Sequence, residues 1–169
     1  MNQSVQEHKS GPPESIGLCV VTISDTRTIE TDRGGRLIVE LTGQTEHQIV
    51  RREIIPDEPD LIRELLFDCA QQDDVQAVLM TGGTGISNRD QTYETVTSLF
   101  TREIPGYGEL FRYLSFKEIG SASILSRATG GLIDELLVLT MPGSPAAVQL
   151  AMQQVILPEL RHLIREATK

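Results

Sequence analysis

Residues 78–90, with the sequence VLMTGGTGISNRD, decide the fold. The apolar run from Ala77 to Met80 is too short for a helix and is ended at once by turn residues, so it predicts a buried strand. Three glycines and two threonines follow within five residues. Glycine permits positive φ and close backbone approach, so successive N–H groups can converge on an anion. We therefore predict a strand that runs into a phosphate-binding loop.

Asp90 stands between this loop and a helix that we expect to begin at Gln91 or Thr92, whose N-terminus adds partial positive charge. A carboxylate repels a nearby phosphate unless a divalent cation lies between them, and magnesium favours such hard oxygen ligands. The pattern thus predicts a phosphate site with a magnesium-binding aspartate. The alternative is a glycine-rich turn without a ligand, since neither a P-loop nor a GxGxxG fingerprint is present.

Composition limits the class of protein. A chain of 169 residues with 39% hydrophobic content suits one globular domain, which we predict at 15–169 after a flexible polar arm at 1–14. The net charge of −9 argues against nonspecific nucleic-acid binding. No apolar run approaches the roughly 20 residues of a membrane span and no leader opens the chain, so we expect a cytoplasmic protein without a membrane partner. Cys19 and Cys69 are predicted to be buried free thiols.

Apolar runs and helical spacing alternate along the chain and predict an α/β protein with a mainly parallel sheet. Predicted strands cover 16–23, 47–55, 77–80 and 136–141, and predicted helices cover 36–41, 61–69, 92–100, 110–119 and 146–167. Pro158 should kink or interrupt the last helix. Residues 123–131 look extended and should turn at Gly130 and Gly131, which would add one antiparallel strand.

Four predicted strands are followed directly by polar loops, at Ser24-Asp25, Pro56-Asp57, 82–90 and 142–145. Such loops share one edge of a doubly wound sheet, so we predict a single polar crevice there. Asp57 can act as a second ligand facing Asp90 across neighbouring strands, or it can cap the helix that follows it. Asp25 is equally open between a functional role and a turn cap, while Asp32 is better explained as a helix cap.

Several short motifs in this order resemble the MoaB/MogA family of molybdenum cofactor biosynthesis, and in particular its MoaB branch. The matching residues are Thr22–Asp25, Ile55–Glu58, Thr81–Gly85 with Asp90, Ile104–Gly108, Leu125–Arg127 and Met141–Ser144. The resemblance covers about residues 16–167. Relatives of this family include the G domains of gephyrin and of its plant counterpart.

The resemblance implies a three-layer α/β/α sandwich whose mainly parallel sheet carries one antiparallel strand, assembled as a homo-oligomer, either trimer or hexamer. Active members transfer AMP from magnesium-ATP to the terminal phosphate of molybdopterin. The adenylylated pterin is then used for molybdate insertion, which makes the inserting enzyme a candidate partner. The chain keeps the acidic residue Asp57, and that favours an active adenylyltransferase.

The resemblance also implies roles for single residues. Asp57 and Asp90 would be catalytic and would hold Mg²⁺. The nucleotide and pterin would be bound by Ser24, Asp25, Thr81, Gly82, Gly83, Thr84, Gly85, Ser126, Arg127, Pro142, Gly143 and Ser144. Two other functions stay open: a noncatalytic molybdopterin-binding scaffold and a nucleotide-binding regulator that ignores the pterin.

Overall fold

A computed structural model describes residues 15–169, so the predicted arm at 1–14 lies outside the described residues. Six strands form one sheet in the order β2-β1-β3-β6-β5-β4. The strands are β1 (Gly17–Ile23), β2 (Gln48–Ile55), β3 (Ala77–Thr81), β4 (Arg102–Glu103), β5 (Gly130–Ile133) and β6 (Leu136–Met141). The helices are α1 (Arg33–Thr42), α2 (Pro59–Ala70), α3 (Thr92–Leu99), α4 (Pro105–Ile119), α5 (Pro145–Ala151) and α6 (Leu157–Ala167). A 3₁₀ segment covers Gly120–Leu125 and a π-helical segment covers Met152–Ile156.

The sheet is mainly parallel with one antiparallel strand, as predicted. Strands β2, β1, β3 and β6 pair in parallel, and β5 pairs antiparallel with both β6 and β4. Parallel neighbours need a long crossover, which the helices supply, whereas β5 and β6 are joined by a tight turn. That turn holds Asp134 at a φ of 53°.

Helices cover both faces of the sheet because the central strands are apolar on both sides. On β1, Leu18 and Val20 pack into one core, while Cys19 and Val21 pack into the other. The first core is closed by residues of α1, α4, α5 and α6, and the second by residues of α2 and α3. The three-layer α/β/α sandwich is therefore confirmed. Cys19 and Cys69 are buried free thiols, also as predicted.

The expected extended segment at 123–131 is wrong. Most of it lies in the 3₁₀ segment and the loop after it, and Gly130 and Gly131 begin β5 instead of turning the chain. Packing leaves little room for a side chain at these positions: a Cβ at Gly130 would lie 2.6 Å from Leu139 Cδ2, and one at Gly131 would lie 2.5 Å from Phe100 Cγ. The helix predicted at 110–119 begins earlier, at Pro105, because proline is well suited to the first turn of a helix.

The long C-terminal helix is interrupted, as predicted from Pro158. Its α-helical hydrogen bonding gives way to the π-helical segment at Met152–Ile156 just before the proline. Pro158 has no N–H group to donate to the preceding turn, and the local π segment accommodates the missing backbone hydrogen bond.

No helix within residues 15–169 is long and apolar enough to cross a membrane.

The carboxyl ends of β2, β1, β3 and β6 lie at the same edge of the sheet because these strands are parallel. From β1 the chain goes to β2 on one side, and then crosses back to β3 on the other. Such a reversal opens a crevice between the two strands that diverge, here β1 and β3. Asp57 follows β2 and Asp90 follows β3, so β1 separates them; the expectation of neighbouring strands is wrong.

Candidate functional site

A cavity of about 550 Å³ lies at this edge of the sheet. Its walls come from the loops after β1, β3 and β6, and from the end of α4 with the segment after it. The lining residues are Ile23, Ser24, Thr26, Arg27, Gly82, Gly83, Thr84, Gly85, Asp90, Ser115, Ile119, Ala122, Ser123, Leu125, Ser126, Pro142, Gly143, Ser144 and Ala147. Polar loops thus face a partly apolar wall across the cavity.

The loop after β3 needs its glycines. Gly82 and Gly83 have φ values of 102° and 65°, in the region that side chains with a Cβ avoid. A Cβ at Gly83 would collide with Thr92 Oγ1 and would lie 2.6 Å from Asp57 Oδ2. The backbone of the loop can therefore lie directly against Asp57 and the start of α3.

Most backbone amides of this loop are not used within the described part of the fold. Gly82 N donates to Met141 O at 3.0 Å, but within residues 15–169 the N–H groups of Gly83, Thr84 and Gly85 have no protein acceptor. The loop carbonyls are engaged by Arg127, whose backbone N donates to Thr84 O at 3.1 Å and whose Nε donates to Gly85 O at 2.7 Å. Successive donors without acceptors at a glycine turn are suited to an anion.

Asp90 closes this loop and lines the cavity. Its Oδ2 accepts from Ser87 N at 3.0 Å, and a Cβ at Gly85 would come within 2.7 Å of the same oxygen. Its Oδ1 accepts no hydrogen bond from the part of the chain that the structure describes. Asp90, which lines the cavity, therefore keeps one carboxylate oxygen without a donor among the described residues.

Asp57 lies behind the loop and does not line the cavity. The residue is 5% exposed, its Oδ2 accepts from Gln91 N at 3.1 Å, and its Oδ1 accepts from Thr92 Oγ1 at 3.0 Å. Capping of the following helix is wrong, because α2 has Glu58 at its N-cap with no side-chain hydrogen bond. Asp57 instead binds the start of α3. The positive N-terminal end of this helix, which we expected to face the phosphate, therefore lies against a protein carboxylate.

Burial is the main cause that raises the pKa of the Asp57 carboxyl above its usual value. The hydrogen bonds from Thr92 and Gln91 oppose this rise, the charge of Asp90 adds to it, and Arg89 opposes it. The charge of Asp90 thus acts on Asp57, although the two residues belong to different loops.

Arg89 ties the segment before Asp90 to two other loops. Its Nε and Nη2 donate to the carboxylate of Asp25 at 2.9 and 2.7 Å, and its Nη1 donates to Asp57 O at 2.6 Å. Nη2 also lies 3.0 Å from Glu58 Oε1. Hydrogen bonding to Arg89 lowers the pKa of Asp25. Asp25 thus serves this contact at the surface and does not line the cavity.

The predicted site residues fall into two groups. Those that line the cavity are Ser24, Gly82, Gly83, Thr84, Gly85, Asp90, Ser126, Pro142, Gly143 and Ser144. Those that do not line it are Asp25, Asp57, Thr81 and Arg127. Thr81 is buried and its Oγ1 donates to Pro142 O at 3.1 Å, which links the loops after β3 and β6.

Sequence reasoning missed part of the lining. Arg27 follows Ser24 in the loop after β1, so the argument that selected Ser24 could have selected it too. Ser115 and Ile119 lie near the end of α4, and Ser123 lies in the 3₁₀ segment. No local signal marks these three, because α4 reaches the cavity through tertiary packing.

The donor set would fit a magnesium ion that takes its other ligands from phosphate oxygens and water. Within residues 15–169 no group of three or more His, Cys, Asp or Glu residues could enclose a metal. Magnesium commonly uses one or two carboxylates together with phosphate oxygens and water. The available oxygen of Asp90 meets that requirement, whereas Asp57, with both oxygens already hydrogen bonded, would act from behind the loop.

The fold and this cavity define a class of protein. The family model described as "Probable molybdopterin binding domain" matches residues 19–162. The chain belongs to this family of molybdenum cofactor biosynthesis proteins.

Several relatives and solved structures belong to the MoaB branch. The molybdenum cofactor biosynthesis protein B of Bacillus subtilis (strain 168) is 47% identical over 167 residues, which cover 98% of each chain. A crystal structure of a molybdenum cofactor biosynthesis protein B has a TM-score of 0.89 at 46% identity, covering 94% of this chain and 99% of the other. The tungsten cofactor synthesizing protein MoaB from Pyrococcus furiosus has a TM-score of 0.82 at 34% identity, covering 94% and 100%. A MogA structure has a TM-score of 0.81 at 26% identity, covering 89% and 99%. The resemblance to MoaB and MogA is therefore confirmed.

Proposed function

We propose that this protein binds molybdopterin and transfers AMP to its terminal phosphate from ATP, with Mg²⁺ as the metal ion. The observation that carries the proposal is the loop at Gly83–Gly85, which lines the cavity together with Asp90 and whose three backbone N–H groups have no acceptor within residues 15–169. Amide donors beside a carboxylate suit a phosphate that arrives with a divalent cation.

The shape and chemistry of the cavity support a pterin ligand. Its volume of about 550 Å³ lies within the range of small-molecule sites. Ile119, Ala122 and Leu125 offer an apolar wall to a flat ring, and Ser123 and Ser126 offer hydroxyl groups to ring heteroatoms. The family description and the names of the relatives point to the same ligand.

The proposed reaction joins two phosphates. An oxygen of the terminal phosphate of molybdopterin attacks the α-phosphorus of ATP, the bond to the β-phosphate oxygen breaks, and pyrophosphate leaves with that electron pair. The amides of Gly83–Gly85 would hold the phosphate oxygens on which negative charge is spread, and would do so without reorganising. Transfer of this kind depends mainly on positioning and charge stabilisation, so no covalent nucleophile is needed.

Two carboxylates would take different parts in this reaction. A magnesium ion bound by Asp90 and the substrate phosphates would supply neutralisation of their charge. Through its hydrogen bonds from Gln91 and Thr92, Asp57 would fix the position of the first turn of α3 and of the neighbouring backbone at Gly83. A change at Asp57 would thus displace the same amides that a change at Asp90 leaves in place.

A homo-oligomer, trimer or hexamer, is part of the proposal. Tyr113, Phe116 and Ile119 on α4 are 57%, 56% and 60% exposed, and Leu110 on the same helix is 43% exposed. An apolar surface of this kind commonly marks a protein contact. Analytical ultracentrifugation that finds monomer at working concentration would contradict this part.

A single assay separates the candidate functions. Molybdopterin is incubated anaerobically with the protein and magnesium-ATP, and pyrophosphate and adenylylated pterin are measured. Both products should accumulate in equal amounts. Saturable pterin binding without turnover would favour the noncatalytic scaffold, and tight ATP binding that ignores molybdopterin would favour the nucleotide-binding regulator. A product that accumulates would then be the substrate of a molybdate-inserting enzyme.

A further inference from the structure

We propose that Arg27 binds a phosphate group of the substrate directly and without a metal ion, and so helps to select phosphorylated ligands. The inference deepens the proposed function, because it rests on this cavity receiving a phosphate. It concerns a residue that none of the sequence motifs singled out.

Arg27 is a cation on a wall of loops that otherwise offers backbone groups and hydroxyls. Among the described residues that line the cavity, it is the one that carries a positive charge, and Asp90 is the one that carries a negative charge. Arg27 forms no salt bridge with a carboxylate in the part of the chain that the structure describes. Its charge is therefore available to a ligand.

The guanidinium group is fixed against the loop after β6. Its Nη2 donates to Gly143 O at 3.2 Å, and a Cβ at Gly143 would lie 3.4 Å from Arg27 Nη1 and 3.4 Å from Gly82 Cα. Gly143 thus brings Arg27 and the start of the glycine loop together. An arginine has five N–H donors, and this contact uses one of them.

The loop that carries Arg27 is held at both ends. Ser24 N donates to Ile55 O at 2.9 Å, and Ser24 Oγ accepts from Arg27 N at 3.1 Å. At the other end, Asp32 caps α1 through Gly35 N at 2.9 Å and accepts from Thr22 Oγ1 at 2.8 Å. The position of Arg27 is therefore set before a ligand arrives, which lowers the entropic cost of binding.

Asp90 and Arg27 would act on a bound phosphate in different ways. Asp90 repels an anion unless a cation lies between them, whereas Arg27 attracts an anion with no such requirement. An arginine fork matches phosphate oxygens and binds them more strongly than a neutral donor does. Part of the affinity for a phosphorylated ligand should therefore persist when divalent cations are removed.

Calorimetric titrations in EDTA test the inference. Molybdopterin and ATP are titrated separately into wild type, Arg27→Gln and Arg27→Lys, and thermal melts check that each variant is folded. Loss of a charge-assisted contact should raise the Kd of at least one of the two ligands by about tenfold or more in Arg27→Gln. Arg27→Lys should lose less, since it keeps the charge but not the fork.

Two controls make the result specific. Arg33→Gln removes the same charge from an exposed position at the start of α1 and should leave both Kd values within about twofold of wild type, since exposed charges are largely screened. A pterin that lacks the phosphate should bind wild type and Arg27→Gln equally. Equal affinity of wild type and Arg27→Gln for both phosphorylated ligands would overturn the inference, and so would a wild type that binds neither of them in EDTA.

The titrations need no turnover, so they stand apart from the adenylylation assay. Weaker phosphate binding by Arg27→Gln together with a wild type that makes no adenylylated pterin would refute AMP transfer and retain the role of Arg27. Product formation by wild type together with an unchanged Kd in Arg27→Gln would support AMP transfer and refute the role of Arg27.

Discussion

Replacing Asp57 by asparagine should separate activity from stability. The introduced asparagine can present its oxygen to Gln91 N and its NH₂ group to Thr92 Oγ1, which as a hydroxyl can also accept. Two charge-assisted hydrogen bonds become neutral ones, a loss of about 1 kcal/mol each, and the removal of a buried charge offsets part of it. The free energy of unfolding should therefore change by no more than about 1–2 kcal/mol at neutral pH.

The direction of the pKa shift predicts how the difference in stability between Asp57→Asn and wild type changes with pH. Because burial raises the pKa of Asp57 in the folded protein, protonated Asp57 stabilises the fold below the unfolded pKa, and that contribution is lost as pH rises through the raised folded pKa. The asparagine side chain does not titrate. The unfolding free energy of Asp57→Asn relative to wild type should thus increase as the pH rises from the unfolded pKa of the carboxyl, about 4, through its raised folded pKa.

Turnover should respond quite differently. Because the two contacts that hold the start of α3 beside Gly83 become weaker, the loop amides should be placed less precisely, and adenylylation should fall by about two orders of magnitude or more while molybdopterin still binds, as expected for an interaction needed mainly in the transition state. Urea titrations at several pH values and initial rates of pyrophosphate release measure the two effects. Thr92→Val is the matched control, because it removes one donor and keeps the charge, and it should retain more activity than Asp57→Asn.

Two results would refute the reasoning about Asp57. Near-wild-type turnover in Asp57→Asn would make the residue structural and leave Asp90 as the acidic catalyst. A loss of stability well above about 3 kcal/mol would mean that the asparagine cannot satisfy Gln91 N and Thr92 together.

Three other changes probe the loop after β3. Asp90→Asn should lower turnover by about two orders of magnitude. Combining it with Asp57→Asn should add little, because the amides that Asp57 positions and the metal ion that Asp90 would bind act on the same phosphate, and residues that act as a unit are non-additive. Additive losses would contradict this. Gly83→Ala should lower turnover and should lower stability by at least about 1–2 kcal/mol in denaturant titrations, because the φ of 65° at this position disfavours a Cβ. Wild-type stability in this variant would contradict the predicted backbone strain. Arg89→Gln should change the free energy of unfolding by less than about 1 kcal/mol but should speed proteolysis between residues 86 and 90. Arg89→Lys should restore part of the protection. Equal cleavage rates in wild type and Arg89→Gln would exclude a tethering role.

Local sequence was sufficient for the layered α/β fold and for one edge of the sheet as the place of the cavity. The apolar runs at 16–23, 77–80 and 136–141 identify strands buried on both faces, and such strands are parallel with helices on both sides. Glycine and polar residues directly after three of the strands then mark the edge at which ligands bind. These inferences hold because each rests on residues adjacent in the chain.

Tertiary structure decided which side chains meet there. Asp57 has the local pattern of a helix cap, yet it binds the start of α3, more than 30 residues further along the chain. Arg127, for which the resemblance implies a ligand contact, holds a carbonyl of the glycine loop. Arg27 and the end of α4 form walls that no motif marked. Strand order and helix packing bring these groups together, and neither is encoded in the spacing of neighbouring residues.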